Sequence, residues 1–289
     1  MTDPTNVVSA FAEARRRLPT RLQPAAAWTM SRWPGRVLVR TAAAVVRAEL
    51  FDRSMTIAAQ LFTSIFPLLI LAAVGLGRRK GDWIADAIDM PQASRRVLDE
   101  ALANRGVSSF GVLGSVIVLI SATSLARAIA RSYGTIWALP RLRSRLTASW
   151  RALAAVMVLA ALMVAIRLLI WLTSRSPLPN LATAALTLGA DAFTSILIPW
   201  ILLARRVAAR LLVPGGVVFG LAMVAVRPVG SVYLPHALQV SADRYGTIGV
   251  AFTYIGWLYV LSFCLLAAAI VGRVIAEDEG RVGRLIRGR

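Results

Sequence analysis

The feature that most constrains this chain is a series of apolar runs, each long enough to cross a bilayer. A helix spanning the ~30 Å of hydrocarbon needs about 20 consecutive, mostly apolar residues. Runs of that kind fall at 54–76, 111–131, 148–172, 181–204, 211–234 and 247–272. In lipid the backbone must satisfy its own hydrogen bonds, so a spanning segment is a helix or belongs to a closed barrel. Barrel strands are short and alternate apolar with polar positions. These runs are long and apolar on all sides, which predicts helices. Only 16% of the residues are charged, against roughly 25% in soluble domains, so a water-facing surface cannot be covered in the usual way. The expected fold is all-α, a polytopic transmembrane bundle of about six spans.

The net charge of +19 would suit a nucleic-acid binder, but its placement argues otherwise. It is almost entirely arginine, with Lys80 the only lysine, and most of it lies in tails and short loops beside the apolar runs. There it orients spans and meets anionic headgroups. Residues 1–35 read as a disordered basic tail and 276–289 as a charged tail, with the membrane domain between them at 36–275. Segment 36–51 alternates apolar residues with Arg40, Arg47 and Glu49, which predicts an amphipathic helix along the inner headgroups. Loop 77–110 repeats Trp83, Ile84, Ala87, Ile88, then Val97, Leu98, Ala101, Leu102, the spacing of one or two short surface helices. Putting both termini inside gives the cytoplasmic side the greater share of arginine. No cleavable signal peptide is expected. The single cysteine, Cys264, excludes a disulfide framework.

The order of several segments resembles a known family. Asp52-Arg53-Ser54-Met55-Thr56-Ile57-Ala58-Ala59-Gln60-Leu61, leading to Phe66-Pro67-Leu68-Leu69, is similar to the first span of the YihY/BrkB family. Gly134-Thr135-Ile136-Trp137 is similar to the end of that family's second span. Val213-Pro214 with Gly215, Gly216 and Gly220 resembles its fifth, and Tyr245-Gly246-Thr247-Ile248-Gly249 with Trp257-Leu258-Tyr259 resembles its last. The resemblance covers roughly 40–275 and implies a bacterial inner-membrane protein with six spans and both ends cytoplasmic. Two positions depart from the family pattern: Gly134 stands where Asn is common, and Ala268-Ala269-Ile270 where the family often has Gly-Ala-Glu. The family's labels include virulence factor, transporter and an old ribonuclease name.

Ionisable groups inside spans are expensive and therefore candidate functional residues. Asp191 lies near the middle of the fourth run, either as an ion-coupling carboxylate or as a structural acid paired to an arginine on a neighbouring helix. Arg167 and Arg227 fall in the outer thirds of their spans, where they could snorkel, bind an anionic headgroup or hold Asp191. Arg127 lies near a span end, within snorkelling reach. Pro67, Pro199, Pro214 and Pro228 each remove a backbone donor and are candidate kinks. His236, the only histidine, is a poor metal candidate alone, and Asp82, Asp86 and Asp89 read as an exposed acidic face. No metal or cofactor is expected.

These features favour a non-enzymatic transporter of an amphiphilic or ionic solute, with envelope lipid as one class, over a membrane scaffold that works through its tails. Its partners would be membrane lipids and the solute, not nucleic acid; a homo-oligomer is left open. A ribonuclease would need a metal cluster or paired acid–base groups in water, and the cytoplasmic face offers neither.

Overall fold

The computed structural model describes residues 33–76, 107–140, 150–151, 154–155, 158, 169, 179–278 and 280–288. Every regular element among them is an α-helix: α1 Trp33–Arg47, α2 Leu50–Leu76, α3 Val107–Ile136, α4 Pro179–Leu202, α5 Ala209–Glu277 and α6 Arg281–Arg287. Two of these, α4 over Ala182–Leu202 and α5, are long and apolar enough to cross a membrane. Of the expected third span, positions 150, 151, 154, 155, 158 and 169 are described, and all are helical. The expected surface helices of loop 77–110 lie outside the described residues as far as 106; residues 107–110 open α3.

The amphipathic segment is helical, but it ends earlier than 51. Glu49 takes a φ of 51°, which stops α1 at Arg47 and makes Leu50 and Phe51 the start of α2. Arg53 secures the corner, donating to the Ala48 carbonyl at 2.8 Å and pairing with Glu49 at 3.1 Å. A cation there meets the free carbonyls and negative end of α1. At 100° per residue, Arg36, Arg40 and Arg47 share one exposed face and Leu38, Ala42 and Val46 another. Val37, Thr41, Ala44 and Ala48 turn inward between them.

Helix α5 is a hairpin. Gly246 (φ 62°, ψ −145°) is the one non-helical residue inside it, and only glycine adopts such angles without strain. The arms, 209–245 and 247–277, then run antiparallel. Near the tip the Ser241 and Thr253 hydroxyls share a hydrogen bond of 2.7 Å; further along, Gly230 lies under the Trp257 ring and Gly215 against Gly272. The expected spans 211–234 and 247–272 are therefore parts of two longer arms, because the backbone stays helical through Pro235 as far as Tyr245. His236, placed by its sequence position just outside a span, sits exposed within the first arm.

Small residues set how closely these elements approach. A Cβ on Gly216 would stand 2.8 Å from the Ala192 carbonyl of α4, and one on Gly220 2.9 Å from that of Leu188. A Cβ on Gly272 would collide with the backbone of Gly215. Opposite this seam, Val213, Val217, Leu221, Val224 and Val232 recur every turn or two and are exposed, an outer stripe suited to hydrocarbon. At one end of the bundle Leu50, Ile57, Tyr133, Ile136, Leu203, Leu266 and Ile270 form the main core.

Residues 276–289, expected as a charged tail, are instead folded onto the body where they are described. Asp278 is buried because its carboxylate has partners: Arg40 of α1 at 3.6 Å and the Gly280 N–H at 3.0 Å. Arg287 of α6 donates to the carbonyls of Ala276 and Asp278 at 2.6 and 2.8 Å. Gly288, at φ 73°, closes α6 through the Arg284 and Leu285 carbonyls.

Two stability measurements follow. Gly272→Ala pushes a methyl into immovable backbone and should cost about 1–3 kcal/mol, read as a lower thermal midpoint in detergent. Gly134→Ala, in an open site on α3, should instead gain about 0.5–1 kcal/mol; equal shifts would remove the seam argument. Deleting 279–289 should also lower the midpoint and speed amide exchange in α1, whereas loss of a free tail would change neither.

Candidate functional site

The apolar length of α4 carries one acid. Asp191 lies near its middle, among Leu188, Ala190, Ala192 and Phe193. Gly220 brings α5 against α4 at Leu188 and Ala192, and Gly216 does so one turn on, at Ala192 and Ile196. The two helices are thus antiparallel here, which places the Arg227 backbone beyond Asp191, toward the Pro179 end of α4. Helical side chains lean toward their own N-terminus. Arg227 accordingly reaches back along α5, and its Nη2 donates to Asp191 Oδ1 at 2.6 Å.

The pair is incomplete on both sides. Asp191 Oδ2 is buried without a hydrogen-bond partner, although the aspartate side chain as a whole is only 16% exposed. A buried polar atom left unmatched costs about 1–3 kcal/mol, and more when charged. The Arg227 side chain is 51% exposed. Among the described residues its remaining N–H groups make no further hydrogen bond or ion pair. Val224, one turn before Arg227 on the same side of α5, is exposed. A guanidinium holding spare donors in an apolar surface binds oxyanions well, because its fork matches carboxylate and phosphate.

The other sequence candidates that are described are not brought to this pair. Arg167 lies outside the described residues. Arg127 is exposed on α3 and does not contact Asp191. The helix runs through Pro67, whose side chain is outside the described residues. Pro199 is fully buried near the end of α4, followed by a turn in which Ala204 and Arg205 have φ of 57° and 60°. Pro214 and Pro228 keep helical backbone angles, so the sharp break in α5 belongs to Gly246 and not to a proline. Ser231 hydroxyl donates to the Pro228 carbonyl at 2.9 Å, within the same turn as the charged pair. Among the described residues no three His, Cys, Asp or Glu side chains cluster as metal ligands.

Two features escape a sequence reading. Arg206 donates to the Pro140 carbonyl at 3.2 Å, and Arg273 donates to the Ile136 carbonyl, so both close the end of α3. By sequence they are indistinguishable from arginines that only orient spans. Ser124 of α3 donates to the Gln60 side chain of α2, a polar bridge whose signal was a glutamine within an apolar run.

A family model described as "Virulence factor BrkB" matches residues 41–285. No curated protein and no solved structure matches the chain.

The pair should behave as a unit under mutation. Arg227→Gln leaves Asp191 without its cation, while Asp191→Asn with Arg227→Gln leaves neither charge behind. The double variant should be the more stable of the two by about 1–3 kcal/mol in a detergent unfolding cycle. Simple additivity of the single changes would show that the contact contributes nothing.

Proposed function

We propose, from the premise that this chain belongs to the virulence factor BrkB family, that it moves an amphiphilic or ionic solute across a bacterial inner membrane. Family membership and the apolar helices fit an integral membrane protein. In the proposed topology the six spans are α2, α3, the 148–172 segment, α4 and the two arms of α5. Both termini are cytoplasmic, and α1 lies along the inner headgroups with its Leu38–Val46 face in lipid. Arginine-capped helix ends at Ala48, Ile136 and Pro140 all fall on the proposed cytoplasmic side, which supports this orientation.

The observation that carries the reading is the Asp191–Arg227 pair. A carboxylate and a guanidinium in a mainly apolar helix pair cost stability relative to a packed apolar contact, and intramembrane charges mark substrate or ion pathways. The role is non-enzymatic: the site offers a place to bind and exchange charge. The sequence has no Gly-x-x-x-x-Gly-Lys-Ser/Thr nucleotide loop, so the movement draws on a gradient or runs passively.

Reconstitution in liposomes tests this. Flux of labelled lipids or of protons should fall about tenfold or more in Asp191→Asn and in Arg227→Gln, the effect of ~1.4 kcal/mol at the limiting step. Wild-type flux in both variants would end the proposal.

A further inference from the structure

We infer that the solute engaged at Arg227 is a phosphate-bearing amphiphile, and that it is taken up in exchange for the Asp191 carboxylate, which then takes a proton. This rests on the reading of the pair as the solute site and names what binds there.

Three observations lead to it. Arg227 donates one hydrogen bond to Asp191 and, among the described residues, keeps the rest of its half-exposed fork free. Beside it runs the exposed apolar stripe of Val213, Val217, Leu221 and Val224, the last 54% exposed and one turn from Arg227; a ligand fitting both features carries an oxyanion at one end and hydrocarbon at the other. The third is Asp191 Oδ2, buried with nothing donating to it. Only one of its two oxygens has a donor among the described residues.

The exchange balances. Before it, Arg227 is cationic and Asp191 anionic. A phosphodiester carries one negative charge and accepts two parallel N–H bonds from a guanidinium, the geometry in which Arg–phosphate pairs are strongest. When phosphate takes the fork, the N–H···Oδ1 bond breaks and Asp191 has neither cation nor donor in an apolar setting, where the neutral acid is favoured. One proton from water joins the carboxylate. The site is then cation, phosphate anion and neutral acid, with the same net charge as before. Among the described residues, the elements packed on α4 are α5 and α3. Their other ionisable side chains are Arg127, Arg131 and Tyr133 on α3, and Arg210, Tyr233, His236, Asp243, Arg244, Tyr245, Tyr254, Tyr259, Cys264, Arg273 and Glu277 on α5. None of these is in ion-pair contact with Asp191; Arg227 is.

The sign of the pH dependence is fixed by this scheme. The bound state holds one more proton than the free state, so affinity rises as pH falls, by up to about tenfold per unit. The test uses the full chain in detergent micelles with spin-labelled phosphatidylglycerol as probe, from pH 5 to 8. Wild type should bind more tightly toward acid. Asp191→Asn should bind at pH 8 as tightly as wild type does at pH 5, with no slope. Arg227→Gln should lose tenfold or more at every pH, and Arg227→Lys, which keeps the charge without the fork, should fall between. Unlabelled lipid should compete, while glycerol phosphate and inorganic phosphate should not at equal concentration. Free phosphate competing as well as lipid would overturn the amphiphile, and a slope retained in Asp191→Asn would overturn the exchange. Binding that ignores Arg227 would overturn both. The flux assay separates this from the transport reading. Flux that depends on both residues without phosphate-dependent binding would sink the inference alone. The expected binding with no flux of any lipid or proton would sink transport alone.

Discussion

A carboxylate and a guanidinium on neighbouring apolar helices meet only if the helix axes pass closely enough, and here glycine decides that distance. Gly216 and Gly220 leave no side chain between α5 and the Ala192 and Leu188 carbonyls. Without that approach Arg227 could not reach Asp191 at 2.6 Å. The same seam continues to Gly215 and Gly272, which join the two arms of α5. In hydrocarbon the driving force between helices is close packing and polar contact, not burial from water. The glycine face therefore does for this bundle what a large apolar core does for a soluble one. One helix pair supplies both the packing and the site.

Arginine in this chain works in two physically different ways. Arg53, Arg206 and Arg273 point their forks at helix-end carbonyls, where a cation meets free acceptors and the negative end of the helix dipole. Arg227 points at a side-chain carboxylate within a helical arm, away from any helix end. The first group ties the end of the bundle together: Arg53 joins α2 to the end of α1, Arg206 of the α4–α5 turn and Arg273 of the second α5 arm hold the end of α3, and Arg287 and Asp278 add α6 to the knot. The second is a single contact in a region where the first arm of α5 is exposed on most of its circumference. A stiff end and a lightly tied middle are the mechanical arrangement that lets one helix face open while the bundle stays assembled.

Much of this was legible in the residues themselves. Apolar run length gave the helices α2, α3 and α4 to within a few residues. Asp191 and Arg227 stood out because charge inside an apolar run is costly wherever the partner lies. Their contact was harder to see: thirty-six positions separate them, and only the antiparallel turn near 203–207 aligns them. The hairpin was half visible. Gly246 lay within a motif, but nothing in sequence separates a glycine that bends the chain from the glycines that pack. The folded end at 276–289 was missed because Asp278 and Arg287, read singly, look like solvated charges. Burial came from their partners being already in place on α1 and α5.

Asp191 and Asp278 show what separates a structural acid from an exchangeable one. Asp278 has Arg40 on one oxygen and the Gly280 N–H on the other, and sits beside a backbone clamped by Arg287. Removing any one contact leaves the others to hold the charge, so the residue has no reason to change state. Asp191 has one donor and one empty oxygen. Among the described residues Arg227 is its one donor, and Arg227 is open to an oxyanion that approaches along the Val213–Val224 stripe. A fully satisfied pair would be more stable there, and an apolar contact more stable still. An incomplete pair is the arrangement in which a small change of partner alters the charge state of the acid, which is why the weaker of the two buried carboxylates is the one that points to function.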